Sequence, residues 1–152
     1  MGVMAKIEGE HIRVGQLEVV FRAHRDHTSG HADVYEVIIP EGARVPAAHY
    51  HVDVDEVIVG LEGTVTYLIG DEKVEVGPGQ CAVSPKGVPH HFSNRHPGRA
   101  RFLVTATPAR MGPEYFRDVA AVLGAGGPPD MAKVKAVMNR YGLEPTTMAG
   151  VA

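Results

Sequence analysis

An all-β domain of closed or double-sheet architecture, followed by two C-terminal α-helices, is the fold class this chain predicts. Three observations carry it. Before Pro108, short runs rich in Val, Ile, Phe and Tyr alternate with clusters of Gly, Pro and Asp, the signature of many short strands. After Pro108, apolar residues recur at helical spacing instead. A length of 152 residues suits one domain with a substantial core rather than two.

The strands are expected at Glu10–Val14, Leu17–Ala23, Asp33–Ile39, Ala47–His51, Glu56–Leu61, Thr64–Ile69, Lys73–Val76, Gln80–Ser84, Pro89–Ser93 and Ala100–Thr107. Gly70-Asp71 and Gly77-Pro78-Gly79 supply turns between runs, because glycine reaches positive φ and proline cannot continue a ladder. So many short strands must hide their edges, which is why a closed or double-sheet arrangement follows. Residues 1–108 form this β part, and residues 109–145 a helical extension of the same domain. Tyr115, Phe116, Val119, Val122 and Leu123 mark one face of a first helix that should stop near Gly124–Gly127. Met131, Val134, Val137, Met138 and Tyr141 mark a second, from Asp130 to Tyr141, with Gly142 at its C′ position. These stripes read as packing faces against the β part or a partner subunit, ahead of a lid. Met1–Lys6 and Thr146–Ala152 are expected to fray.

Composition excludes several function classes. With 44% hydrophobic and 22% charged residues, a net charge of −3 and a pI near 6.3, the chain has no general affinity for nucleic acid or an anionic membrane. The basic stretch Arg95–Arg101 reads as a turn between strands. Cys81 is the only cysteine, so there is no internal disulfide, and its apolar surroundings read as those of a small buried hydrophobe. No apolar run is long enough for a signal peptide or a membrane span, and a cytoplasmic location is expected.

The chemistry concentrates in His49-Tyr50-His51, Glu56 and His90. Three imidazoles and a carboxylate are the donor set of a divalent transition-metal site. His49 and His51 are two apart, so on a strand both side chains leave the same face. Glu56 returns to that interior at the start of the next strand. Pro85 and Gly87 shape the turn that feeds His90 into another strand. Alternation places His90 with Phe92 on one face and His91 with Ser93 on the other, and His90 is taken as the inward residue. His11, His24, His27, His31, His91 and His96 lack such spacing, and the His24, His27, His31 group sits in a segment that reads as a solvated loop.

These residues carry a resemblance. Gly42-x6-His49-x-His51-x4-Glu56-x6-Gly63 resembles the first motif of the cupin superfamily, with six rather than five residues between Gly42 and His49. Gly79-x5-Pro85-x-Gly87-x2-His90-x3-Asn94 matches the second motif at every fixed position. The fifteen residues Thr64–Pro78 between them are the short spacing of microbial single-domain cupins, and the resemblance covers about 34–107. It implies a double-stranded β-helix, or jelly-roll barrel, with C-terminal α-helices. It also implies one divalent metal ion held inside by His49, His51, Glu56 and His90.

That donor set suits Fe, Mn, Ni, Co, Cu or Zn and leaves coordination positions for a substrate. Val37, Ile39, Ile58, Tyr67, Phe92, Phe102 and Val104 are the expected walls of a substrate pocket. Glu56 is the expected catalytic residue, a carboxylate that accepts a substrate proton. Gly112-Pro113-Glu114-Tyr115-Phe116 resembles the helix after the barrel in quercetinase-like single-domain cupins. The function so implied is a metal-dependent dioxygenase acting on a small enol, flavonol or aromatic polyketide. The alternatives are a redox-silent isomerase, lyase or cyclase, and a non-catalytic small-molecule-binding protein. A homodimer is expected, because barrels of this kind pair through edge strands or appended helices.

Overall fold

A computed structural model describes residues 6–124 and 128–151. In chain order the elements are β1 (Glu10–Val14), β2 (Leu17–Ala23), α1 (Arg25–Thr28), β3 (Asp33–Ile39), β4 (His49–His51), β5 (Asp55–Glu62), β6 (Val65–Ile69) and β7 (Glu72–Val76). They continue with β8 (Cys81–Ser84), β9 (His90–Ser93), β10 (Ala100–Thr107), α2 (Gly112–Leu123), α3 (Met131–Arg140) and β11 (Leu143–Pro145). A six-stranded antiparallel sheet runs β1-β2-β3-β10-β5-β8, and a five-stranded one runs β11-β4-β9-β6-β7. The two sheets form the jelly-roll expected of an all-β chain.

Alternation builds the core between the sheets. Along β10, Ala100, Phe102, Val104 and Ala106 are buried while Arg101, Leu103 and Thr105 are less so. The inner layer of the larger sheet continues through Val19, Phe21, Tyr35, Val37 and Ile58, and Val65, Tyr67 and Phe92 answer from the smaller sheet. Two glycines permit close backbone approach. A Cβ on Gly60 would lie 2.0 Å from the carbonyl oxygen of Gly77. Gly63, at φ 63°, would set a Cβ 2.4 Å from the Arg99 carbonyl oxygen. No side chain fits at either place.

The helices have clear local causes. Asp130 caps α3 by accepting from the backbone N–H groups of Ala132 and Lys133. α2 carries Pro113 in its first turn and ends at Leu123, followed by Gly124. Asp33 accepts from the N–H groups of Met111 and Gly112, which ties the start of α2 to β3. No helix among the described residues is long and apolar enough to cross a membrane.

Several expectations need correction. β4 begins at His49 rather than Ala47, because the Ala47 and Ala48 carbonyls bond the His49 ring and the Thr146 N–H. The segment after Pro145 does not fray throughout: besides that bond, Arg95 donates to the Gly150 carbonyl. The expected fraying of Met1–Lys6 falls, except at Lys6, outside the described residues. Cys81 is exposed, not buried. It sits on edge strand β8, where alternation turns Cys81 and Val83 outward and buries Ser84. The short elements α1 and β11 were not anticipated. His24 and His27 cap α1 through Nδ1 atoms that accept from Asp26 N–H and His24 N–H, so their spacing serves a turn.

Candidate metal centre

β4 delivers His49 and His51 to the interior by alternation, and β9 delivers His90 directly opposite His49 in the pairing register. The three rings have centroids 4.4 Å apart for His49 and His90, 5.3 Å for His49 and His51, and 5.4 Å for His51 and His90. One ligand atom from each lies within 4.8 Å of the others, and all three residues are buried. Such a group can hold a metal ion. Across the barrel, β5 presents Glu56, whose Oε1 lies 2.7 Å from His51 Nε2 and 3.2 Å from His90 Nε2. Glu56 thus joins the cluster on the side of His51 and His90. His91 is also buried but belongs to the opposite face of β9, opposite Leu68.

The local hydrogen bonding fits a cation. His49 Nδ1 lies 2.8 Å from the Ala47 carbonyl oxygen, which assigns the ring proton to Nδ1 and leaves Nε2 as a lone-pair donor. Among the described residues, Glu56 Oε1 has no aligned hydrogen-bond partner despite its short contacts to His51 Nε2 and His90 Nε2. Buried nitrogen and oxygen atoms that crowd together without hydrogen-bond alignment are costly unless a shared cation satisfies them. Three imidazoles and a carboxylate oxygen are suitable ligands for a divalent transition metal.

The electrostatics agree. Burial pushes the Glu56 carboxyl up, but the charge on His51 and the contacts from His51 and His90 outweigh it and hold Glu56 well below the usual carboxylate range. Burial drives His49 well below the usual imidazole range, reinforced by His90 and His51, so it stays neutral. Tyr35 donates its hydroxyl to Glu56 Oε2 at 3.0 Å. Burial, with the Glu56 charge beside it, keeps that phenol protonated.

A cavity of about 70 Å³ adjoins the cluster. Of the expected wall residues, Val37, Tyr67, Phe92, Phe102 and Val104 line it. Ile39 and Ile58 do not; they are packed in the core. Val45, Pro46 and Ala47, between Gly42 and His49, line it too, and most of the remaining lining side chains come from places the motifs do not cover. Val14, Leu17 and Val19 come from β1 and β2, and Met111, Tyr115, Phe116, Val119, Val134, Met138 and Leu143 from the C-terminal extension. The apolar stripes of α2 and α3 therefore wall the cavity as well as pack on the barrel. Their helical period was the available signal, and it says which face is apolar without saying what lies opposite. Tyr35 was missed because one phenol in a strand carries no spacing signature.

Residues 35–106 match the family model described as Cupin domain. A search of curated proteins finds no significant match. Among solved structures, the chain is similar to a sugar phosphate isomerase of the cupin superfamily from Silicibacter pomeroyi. The identity is 25% and the TM-score 0.54, over 68% of this chain and 70% of that one. It is similar in fold to the polyketide cyclase RemF from Streptomyces resistomycificus, at 22% identity and TM-score 0.59, over 70% of this chain and 79% of that one. A third likeness of fold is to Pac13, a nucleoside dehydratase from Streptomyces, at 17% identity and TM-score 0.55, over 66% and 77% of the two chains.

Proposed function

The barrel of this chain is a cupin domain, and on that premise we propose that it is a metal-dependent enzyme performing acid–base chemistry without net redox change. The reaction class is that of an isomerase, lyase or cyclase acting on a small, uncharged substrate that bears a hydroxyl or enol. His49, His51, Glu56 and His90 would hold the ion. The observation that carries the reading is the polarity of the cavity. Among the described residues its lining is apolar except for three tyrosines and the histidine–carboxylate cluster, and it includes no Lys or Arg. Beyond the ion itself, no cationic side chain among the described lining residues would meet a phosphate, so an uncharged hydroxyl or enol substrate suits the walls better than a sugar phosphate.

A bound divalent ion would act as a Lewis acid toward a substrate oxygen and make a neighbouring proton more acidic. Glu56, whose Oε1 faces the histidine cluster at the cavity wall, is the group that accepts that proton. The apolar walls formed by Val37, Phe92, Phe102 and Val104 exclude water and orient a flat substrate edge-on to the cluster. The known activities of similar folds, a cyclase, a dehydratase and an isomerase, support the redox-silent class. A dioxygenase acting on an enol or flavonol is the second reading, supported by a donor set that suits redox-active ions. A cytoplasmic homodimer completes the proposal. The single cysteine supports the compartment, and the exposed apolar Val57, Leu61 and Val83 on neighbouring strands support the dimer, which light scattering tests.

The deciding experiment is turnover of a panel of 1,3-diketones, flavonols and polyketide-like enols with Zn(II), Mn(II), Fe(II), Co(II) or Ni(II), in air and under strict anaerobiosis. Undiminished anaerobic turnover supports the proposal. Turnover that stops without oxygen and consumes it stoichiometrically replaces the proposal with the dioxygenase. Tight ligand binding with no turnover identifies a carrier.

A further inference from the structure

We propose that Tyr35 is a positioning residue that sets which oxygen of Glu56 faces the histidines, an inference that rests on the metal reading above. β3 and β5 are not neighbours; β10 lies between them. Tyr35 stands opposite Val104 and Glu56 opposite Ala106, two residues along the same inward face of β10. The phenol therefore reaches across one strand, over a position where Ala106 is small enough to leave room, and donates to Glu56 Oε2 at 3.0 Å. Oε1 is left toward His51 and His90.

The tyrosine cannot swing away. Phe21 of β2 stacks on its ring at 5.5 Å, and Phe116 of α2 meets it edge-on at 4.9 Å. The helical extension thereby braces the carboxylate through two aromatic contacts. Tyr35 Oη is the donor that Oε2 has among the described residues, so removing it frees the carboxylate to rotate and leaves a buried oxygen unpaired. Groups that orient a ligand in this way typically change metal affinity by about 10- to 100-fold.

The test uses Tyr35→Phe, which keeps the ring and its packing, with Co(II) as the probe. Affinity is read by calorimetry and ligand geometry by the visible absorption of the Co(II) complex. The expected result is Co(II) binding weakened at least tenfold and an altered spectrum, with a metal-free melting temperature lowered by a few degrees because Glu56 Oε2 loses its donor. In a Glu56→Ala background the same change should leave Co(II) affinity unaltered within about twofold, because no carboxylate remains to position. Equal affinity and an identical spectrum in Tyr35→Phe overturn the inference while the metal reading stands. Weakening of the same size in the Glu56→Ala background also overturns it, since the tyrosine then acts on the barrel as a whole. A wild-type protein that binds no Co(II) overturns both.

Discussion

His90 and His91 are adjacent, 2% and 3% exposed, and differ only in the face of β9 they occupy. Replacing each with Ala removes a buried imidazole from the same strand, so the loss of packing is matched. His90→Ala also removes a contact to the buried Glu56, so the increment on adding metal, not the metal-free midpoint, separates the two variants. Unfolding of 152 residues carries an entropy near 2.1 cal/mol/K per residue, or about 0.32 kcal/mol/K in total. At free metal one hundred times the dissociation constant, the folded state gains about 2.7 kcal/mol, so wild type should melt about 8 °C higher with metal than without. His91→Ala should keep that increment, although its metal-free midpoint falls. In His90→Ala, a hundredfold loss of affinity leaves about 0.4 kcal/mol, a rise of about 1 °C. Differential scanning calorimetry with and without Co(II) or Ni(II) makes the measurement. An increment that survives in His90→Ala and vanishes in His91→Ala would refute the assignment of the inward histidine.

Four further outcomes are expected. Gly60→Ala should destabilise the barrel by about 1–3 kcal/mol or prevent folding, because its Cβ meets the Gly77 carbonyl oxygen; urea titration measures this. The Arg25–Glu114 ion pair joins α1 to α2, and the hydrogen bond from Arg25 holds the Glu114 carboxyl below its usual range. A lowered folded-state pKa contributes stability above the unfolded value that is lost as pH falls through the folded one. Because the pair is exposed, Glu114→Gln should cost no more than about 0.5 kcal/mol at pH 7 and progressively less as the pH is lowered through the acid range, as urea melts at a series of pH values will show. Cys81 should react with a thiol reagent in the native protein without denaturant, and a reaction that needs denaturant would contradict its exposure. Phe102→Ala, at a fully buried wall residue, should cost about 3–5 kcal/mol in stability and weaken binding of a planar aromatic ligand.

Much of the site was readable because strand geometry is periodic. The two-residue step from His49 to His51 required one shared face, and the one-residue step from His90 to His91 forbade it; both hold in the fold. The same alternation should have placed Cys81 outward. Its phase on the edge strand β8 decides its exposure, and its apolar neighbours in sequence do not. The pocket was less legible. Val37, Phe92, Phe102 and Val104 share the inward phase with Ile39 and Ile58, and phase alone does not say which inward residues border open space.

The sequence by itself determined the order of β1 to β10, α2 and α3, the helix stops at Gly124 and Gly142, and the set of inward-facing donors. These follow from side-chain period, turn chemistry and capping, which act within a few residues. Only the tertiary structure decided that His49 lies opposite His90, that Glu56 reaches them from the other sheet, and that Tyr35 holds Glu56 from two strands away. It also decided that α2 and α3 wall the cavity with Tyr115, Phe116 and Met138. Those relations depend on which strands pair and how two sheets close on each other. No local pattern encodes the distance between residues brought together that way.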